Sequence, residues 1–212
     1  MSFRYGIELI PEPGFVAWAH RTRKLICDQY GSWTAEMFMV HLTVAEFFQC
    51  PDDALEPLMS GLSRLAQASR KSAPGFNLAH KGVATFPNVM GTIFLDFNPS
   101  PRPIALHSLH RNVVAMFKGI PSVVPSLKYA EEVYWPHLTL MQSTSLPPPV
   151  FDEALAFTRA VVQESPPPAA TRAWRLLLAR FESSAADAVP GGWDQGQWAR
   201  DLRWNLLASY EL

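Results

Sequence analysis

His41-Leu42-Thr43-Val44 and, 96 positions later, His137-Leu138-Thr139-Leu140 are the two stretches that decide how this chain is read. Each is a histidine, an apolar residue, a threonine and a second apolar residue. Each sits among β-forming residues, EMFMVHLTVAE at 36–46 and VYWPHLTLMQ at 133–142, so each is predicted to lie in a strand. Side chains alternate across a strand, so His41 and Thr43 share one face and Leu42 and Val44 the other, with the second stretch behaving in the same way. The apolar pair fills a core while histidine and threonine look into open space.

The surrounding elements repeat in order. Before the first stretch, RYGIELI at 4–10 reads as a strand. Over 12–30, Phe15, Trp18, Thr22, Leu25, Ile26 and Gln29 follow a helical spacing that Gly31 ends. After it, Pro51-Asp52-Asp53 starts a helix carrying Leu55, Leu58, Met59, Leu62, Leu65 and Ala66 to about Arg70. Segments 76–86 and 90–97, split by Pro87-Asn88, read as an antiparallel pair. In the second half a helix over 103–118 and a loop over 119–131 precede the second stretch. A helix led by Pro147-Pro148-Pro149 follows it, then apolar segments 172–183 and 200–210 separated by PGGWDQGQ. Each half thus runs helix, HLT strand, helix, strand, strand. The expectation is an α+β fold of two pseudo-symmetric lobes, antiparallel sheet inside and helices outside, around a central cleft. It forms a single domain over 1–212, with intertwined lobes and approximate halves 12–100 and 101–212.

Two opposed histidine–threonine pairs suit phosphodiester chemistry. An imidazole has an unperturbed pKa of about 6.5, so one ring can take a proton while the other gives one near neutrality. Threonine hydroxyls can donate hydrogen bonds to the non-bridging oxygens where charge develops. Four such groups around one phosphate need no metal and no cofactor. Among six histidines, two such tetrads would arise by chance in roughly one chain in a hundred at average composition. The bland alternative is a pair of buried histidines bonded to backbone.

Paired tetrads of this form, one per half of a chain near 200 residues, resemble the two-histidine (2H) phosphoesterase superfamily, which includes 2′,3′-cyclic phosphodiesterases and RNA 2′,5′-ligase-like proteins. Trp135-Pro136-His137-Leu138-Thr139-Leu140 looks especially like the cyclic phosphodiesterase members, where a proline commonly precedes the second histidine; at the first tetrad Val40 stands there instead. The resemblance implies a bilobal fold with a central cleft. It carries over His41 and His137 as catalytic acid and base, and Thr43 and Thr139 as phosphate-binding groups. It implies a nucleotide or short RNA end bearing a 2′,3′-cyclic phosphate as substrate. Hydrolysis or ligation of 2′,5′-linked or cyclic oligonucleotides, and non-catalytic binding of a phosphorylated ligand, stay open, as does which histidine is the acid.

Other residues carry weaker signals. Trp135 shares a strand face with His137 and Thr139 and is a candidate to stack on a base, against ordinary packing at a lobe edge. Tyr134 points the other way, into core. Lys128 and Tyr129, in the loop before the second tetrad, are candidates for a phosphate-attracting lid, against a solvated surface loop. His107 and His110 stand i, i+3 on a helix without a third ligand, too little for a metal site. His20 and His80 have no evident partner. Asp52-Asp53 and Glu131-Glu132 read as a helix start and a solvated loop, and the seven tryptophans as core and lobe contacts.

Composition sets the bounds. With 48% apolar and 17% charged residues the chain is globular, and a net charge of −1 gives no surplus of Lys and Arg for long double-stranded nucleic acid. Cys27 and Cys50 suggest neither a disulfide framework nor a zinc site. No signal peptide and no apolar run near the roughly 20 residues of a membrane span are evident. The expectation is a cytoplasmic monomer with no membrane partner.

Overall fold

The computed structural model describes residues 2–86, 91–101, 103–120, 122–125, 134–142 and 146–212. Among them are eight strands and five α-helices. The order is β1 (Arg4–Pro11), α1 (Pro13–Tyr30), β2 (Leu42–Phe48), α2 (Asp52–Ser72), β3 (Asn77–Ala79), β4 (Val83–Thr85), β5 (Ile93–Asp96), α3 (Ile104–Lys118), β6 (His137–Met141), α4 (Pro148–Glu164), β7 (Ala170–Glu182), α5 (Ser184–Asp187) and β8 (Arg203–Glu211). The turn at Pro87-Asn88, Pro121, Lys128, Tyr129 and Glu131-Glu132 lie outside the described residues.

The fold is the expected α+β arrangement of helices and antiparallel sheet. One sheet runs β2-β1-β7-β3, with β8 also pairing β7; the other runs β4-β5-β6. The HLT strands β2 and β6 each stand at an edge of their sheet. Both sheets mix strands from the two halves of the sequence. β5 pairs β6, and β1, itself paired with β2, pairs β7 along its whole length. The first sheet has five strands and the second three, with β1 lying between β2 and β7 in the larger one.

Helix ends follow local chemistry. Pro13 opens α1, and Gly31, in the left-handed region at φ 60°, closes it by donating its N–H to the Cys27 carbonyl. The buried face of α1 differs from the expected one. Leu25 is 52% exposed, while Arg23 is 2% exposed beside Phe15, Trp18, Ala19, Thr22, Ile26 and Cys27. Leu25 lies two positions from both Arg23 and Cys27, and so on the far side of the helix from the stripe that Phe15, Ala19, Arg23 and Cys27 form at four-residue intervals.

Three strand expectations are revised. Residues 34–37 form a 3-10 turn, and β2 starts only at Leu42, with His41 immediately before it. Segment 76–86 divides at Gly82, where φ is 104°, so that β3 joins β7 and β4 joins β5 in different sheets. Segment 200–210 opens as a 3-10 turn at Gln197–Arg200 before β8. The tryptophans also divide: Trp193 and Trp198 pack in a satellite core with Phe38 and Phe181, whereas Trp33, Trp174 and Trp204 are exposed. No described helix is long and apolar enough to cross a membrane.

Candidate active site

Leu42, Val44, Leu138 and Leu140 are fully buried in the main core, and their strand neighbours face the other way into a small cleft. His41, Thr43, His137 and Thr139 all line that cleft, together with Arg23, Ala35, Phe38, Glu46 and Gln142. Residues 96 positions apart thus meet in one place because the two edge strands face each other.

The two imidazoles are held alike. His41 Nδ1 lies 2.7 Å from the Met39 carbonyl and His137 Nδ1 lies 2.8 Å from the Trp135 carbonyl, each two residues back. A carbonyl only accepts, so Nδ1 carries the proton in both rings and the neutral ring presents the Nε2 lone pair. His41 Nε2 is 3.1 Å from the Thr43 hydroxyl. Phe86 and Phe94 each stand 5.0 Å from the His137 ring and fix its plane.

Their electrostatic surroundings differ. Burial, above all, drives the His41 pKa down to about 3; the Met39 carbonyl opposes this, and the charges of Arg23 and His137 add to it. Burial also lowers the His137 pKa, but the Trp135 carbonyl and the Asp96 carboxylate pull it back. Asp96 is the cross-strand neighbour of His137, is almost fully buried and is paired with Lys81 Nζ at 3.0 Å.

Two carboxyl groups are absent from the sequence reading: Glu46, which lines the cleft, and Glu8, buried against His41. Glu8 on β1 is fully buried, with one oxygen 3.4 Å from His41 Nε2. Burial, and then the neighbouring Glu46 carboxylate, hold the Glu8 carboxyl well above the ordinary range, against the pull of the Thr43 hydroxyl. Strand register puts these groups together. Glu8 pairs Thr43 and Ile7 pairs Ala45, so β2 advances two residues where β1 advances one. That bulge brings Thr43 and Glu46, three apart, to the same cleft, whereas a regular strand would set them on opposite faces. Phe47 follows at φ 56°, unusual for a bulky residue, with its ring enclosed by Phe38, Phe181, Trp193 and Trp198. Glu8, His41 and Glu46 each bring one donor atom within 4.8 Å of the others, a grouping with metal-ligand spacing. The raised pKa of Glu8 weakens it, because a carboxyl must be ionised to bind a cation.

Trp135 and the other described residues singled out from the sequence, beyond the tetrads, are not among those lining the cleft. The Trp135 indole N–H donates to Asp96 Oδ1 at 3.0 Å, and its half-buried ring meets the edge of Phe86. Tyr134 is core, and its hydroxyl donates to the Thr43 carbonyl. His110 is stacked on Tyr134 at 3.8 Å and places Nδ1 2.9 Å from the Val44 carbonyl, so both side chains support the backbone of the first tetrad. His107 reaches Asn98 and His80 reaches the Pro168 carbonyl. Cys27 and Cys50 are free thiols, buried, with burial pushing their pKa values up to about 12 and about 11.

The sequence model of the 2′-5′ RNA ligase superfamily matches residues 11–185, which span both tetrads. The chain belongs to this superfamily. The resemblance to 2H phosphoesterases read from the paired tetrads is thereby borne out. Solved structures carry the fold that goes with the superfamily assignment. Escherichia coli LigT in complex with 3′-AMP is 16% identical, with 100% of this chain and 99% of that one covered and a TM-score of 0.51. A protein described as a phosphoesterase gives 16%, 100%, 99% and 0.54. TT0787 of Thermus thermophilus gives 16%, 100%, 98% and 0.54. At such identity the likeness is one of fold. A comparison with curated proteins gives no match.

Proposed function

We propose that this member of the superfamily is a metal-independent phosphodiesterase that opens a 2′,3′-cyclic phosphate on a nucleotide or short RNA end. The observation that carries this reading is the matched pair of imidazoles. Each is locked through Nδ1 to the carbonyl two residues back, and each lines one polar cleft beside its own threonine.

Water attacks phosphorus while the neutral histidine takes its proton. The P–O bond to one ribose oxygen breaks, and the protonated histidine delivers a proton to that oxygen. The products are a phosphomonoester and a free hydroxyl, and the imidazoles exchange protons with solvent to reset. Thr43 and Thr139 donate to the non-bridging oxygens, where negative charge grows. We assign His41 as base and His137 as acid. His41 is buried beside the Arg23 guanidinium, which disfavours its charged form, whereas His137 faces the Asp96 carboxylate, which favours it.

LigT has been solved with 3′-AMP and with ATP, and 3′-AMP is one of the two products that opening 2′,3′-cyclic AMP would release. In this reading Trp135 provides the wall on which the base stacks, its ring oriented by Asp96. With a net charge of −1, a small substrate suits the protein, acting as a monomer, better than a long duplex. The name of the superfamily supports a second reading at the same site, cleavage or formation of a 2′,5′ linkage.

Assay with the four 2′,3′-cyclic mononucleotides, following phosphomonoester formation, tests the proposal. Turnover with one or more of them is expected. Turnover confined to 2′,5′-linked dinucleotides would transfer the site to the second reading, and none on either class would overturn the catalytic one.

A further inference from the structure

Arg23 is a large side chain, 2% exposed, whose guanidinium lines the cleft with all four tetrad residues. It reaches there from α1, outside both tetrads. Nη1 donates to the carbonyls of Ala35 at 2.9 Å and Phe38 at 3.0 Å, in the segment leading to His41. Nε and Nη2 both donate to the Thr139 carbonyl, at 3.2 and 2.9 Å. A guanidinium has five N–H groups, and these bonds use four. The fifth, on Nη2, has no partner among the described residues, and no described carboxylate forms an ion pair with Arg23. Burial lowers its pKa only to about 10, so the group is charged at neutrality. The Glu36 carboxylate acts on it without forming an ion pair; a buried cation held by carbonyls is costly unless an anion joins it, and the space it borders is the cleft.

We propose that Arg23 is a third phosphate-binding group of this cleft. Its fifth N–H and its charge go to a non-bridging phosphate oxygen. Its other four N–H groups fix the segment before His41 against the strand of Thr139, so that the two tetrads keep their separation. The inference rests on the phosphoester reading of the same cleft and adds a residue on which neither tetrad motif bears. It also places a positive charge in a cleft that Glu46 lines as well, where a phosphate would otherwise meet only that carboxyl group, the imidazoles and neutral groups.

The test uses inorganic phosphate as the probe. In wild-type protein, arginine-side-chain and histidine NMR signals are followed through a phosphate titration, with the Arg23 signal assigned by its absence in Arg23→Lys. The Arg23 Nη signals are expected to move with the same midpoint as the His41 and His137 rings. Histidine signals that move while Arg23 stays still would overturn the role of Arg23 and leave the phosphoester reading standing. If neither moves at saturating phosphate, both fall. In parallel, Arg23→Met is expected to weaken phosphate binding tenfold or more per folded molecule, and to lower kcat for the cyclic substrate. A merely structural arginine would lower the melting temperature of that variant and leave both quantities unchanged in the folded fraction.

Discussion

His41 and His137 share one hydrogen-bond geometry and have opposite electrostatic neighbours. Removing either ring takes away a proton carrier without emptying the core, because each stands on the cleft side of its strand. His41→Ala and His137→Ala are each expected to cut kcat by roughly 10²–10⁴-fold with little change in far-ultraviolet circular dichroism. Wild-type turnover in either variant would remove that histidine from the mechanism. Trp135 belongs to the same scale. A base stacked on it contributes about 1–3 kcal/mol. Trp135→Ala should therefore raise KM for the cyclic nucleotide about 5- to 150-fold with a smaller effect on kcat; an unchanged KM would return the ring to simple packing.

At the scale of the element, β1 and β2 together place two carboxyl groups near His41. A Cβ at Gly6 would run into the Glu8 carboxyl and the Phe181 ring, so glycine makes room for a buried acid on the same strand face. Gly6→Val is expected to cost about 1–3 kcal/mol of stability, as overpacking does, read as a lowered urea midpoint. Glu8 itself makes stability depend on pH. Its pKa is raised in the folded protein from an ordinary 4.5. Above 4.5 the unfolded chain gives up a proton that the folded chain keeps. The stability Glu8 contributes is thus fully present below that pH and is lost as pH rises through its folded value. His41 acts in the other direction: its pKa falls from 6.5 to about 3. Stability due to its neutral ring is present above 6.5 and is lost as pH drops toward 3. Glu8→Gln isolates the first effect. Its stability relative to wild type should rise steadily from pH 4 to pH 8, and a difference independent of pH would mean that Glu8 is ionised in the fold.

Over the whole molecule, two sheets that mix strands from both halves bring the two tetrads face to face, and in the proposed mechanism these groups supply acid, base and anion-binding donors. Activity is accordingly expected to survive EDTA. Complete loss restored by a divalent ion would point to Glu8, His41 and Glu46 as ligands and would replace the two-histidine mechanism. The tetrads, the element order and the Gly31 cap were legible from sequence because each depends on local periodicity or on a single residue's conformational freedom. The segment 76–86 read as one strand, since its apolar run conceals the division at Gly82 that sends its parts to different sheets. Arg23 and Glu8 had a faint signal, a charge within an apolar stripe (Phe15, Ala19, Arg23, Cys27) and a charge inside the strand RYGIELI. What lies opposite them, and so whether they meet a ligand or solvent, is a matter of long-range pairing. The amino-acid sequence alone determined the two His-x-Thr pairs, the face each presents and the mixed helix–sheet class. Only the tertiary structure decided that Glu8, Glu46 and Arg23 surround His41, because the register of β1 against β2, the bulge after Thr43 and the docking of α1 are set by contacts between residues far apart in the chain.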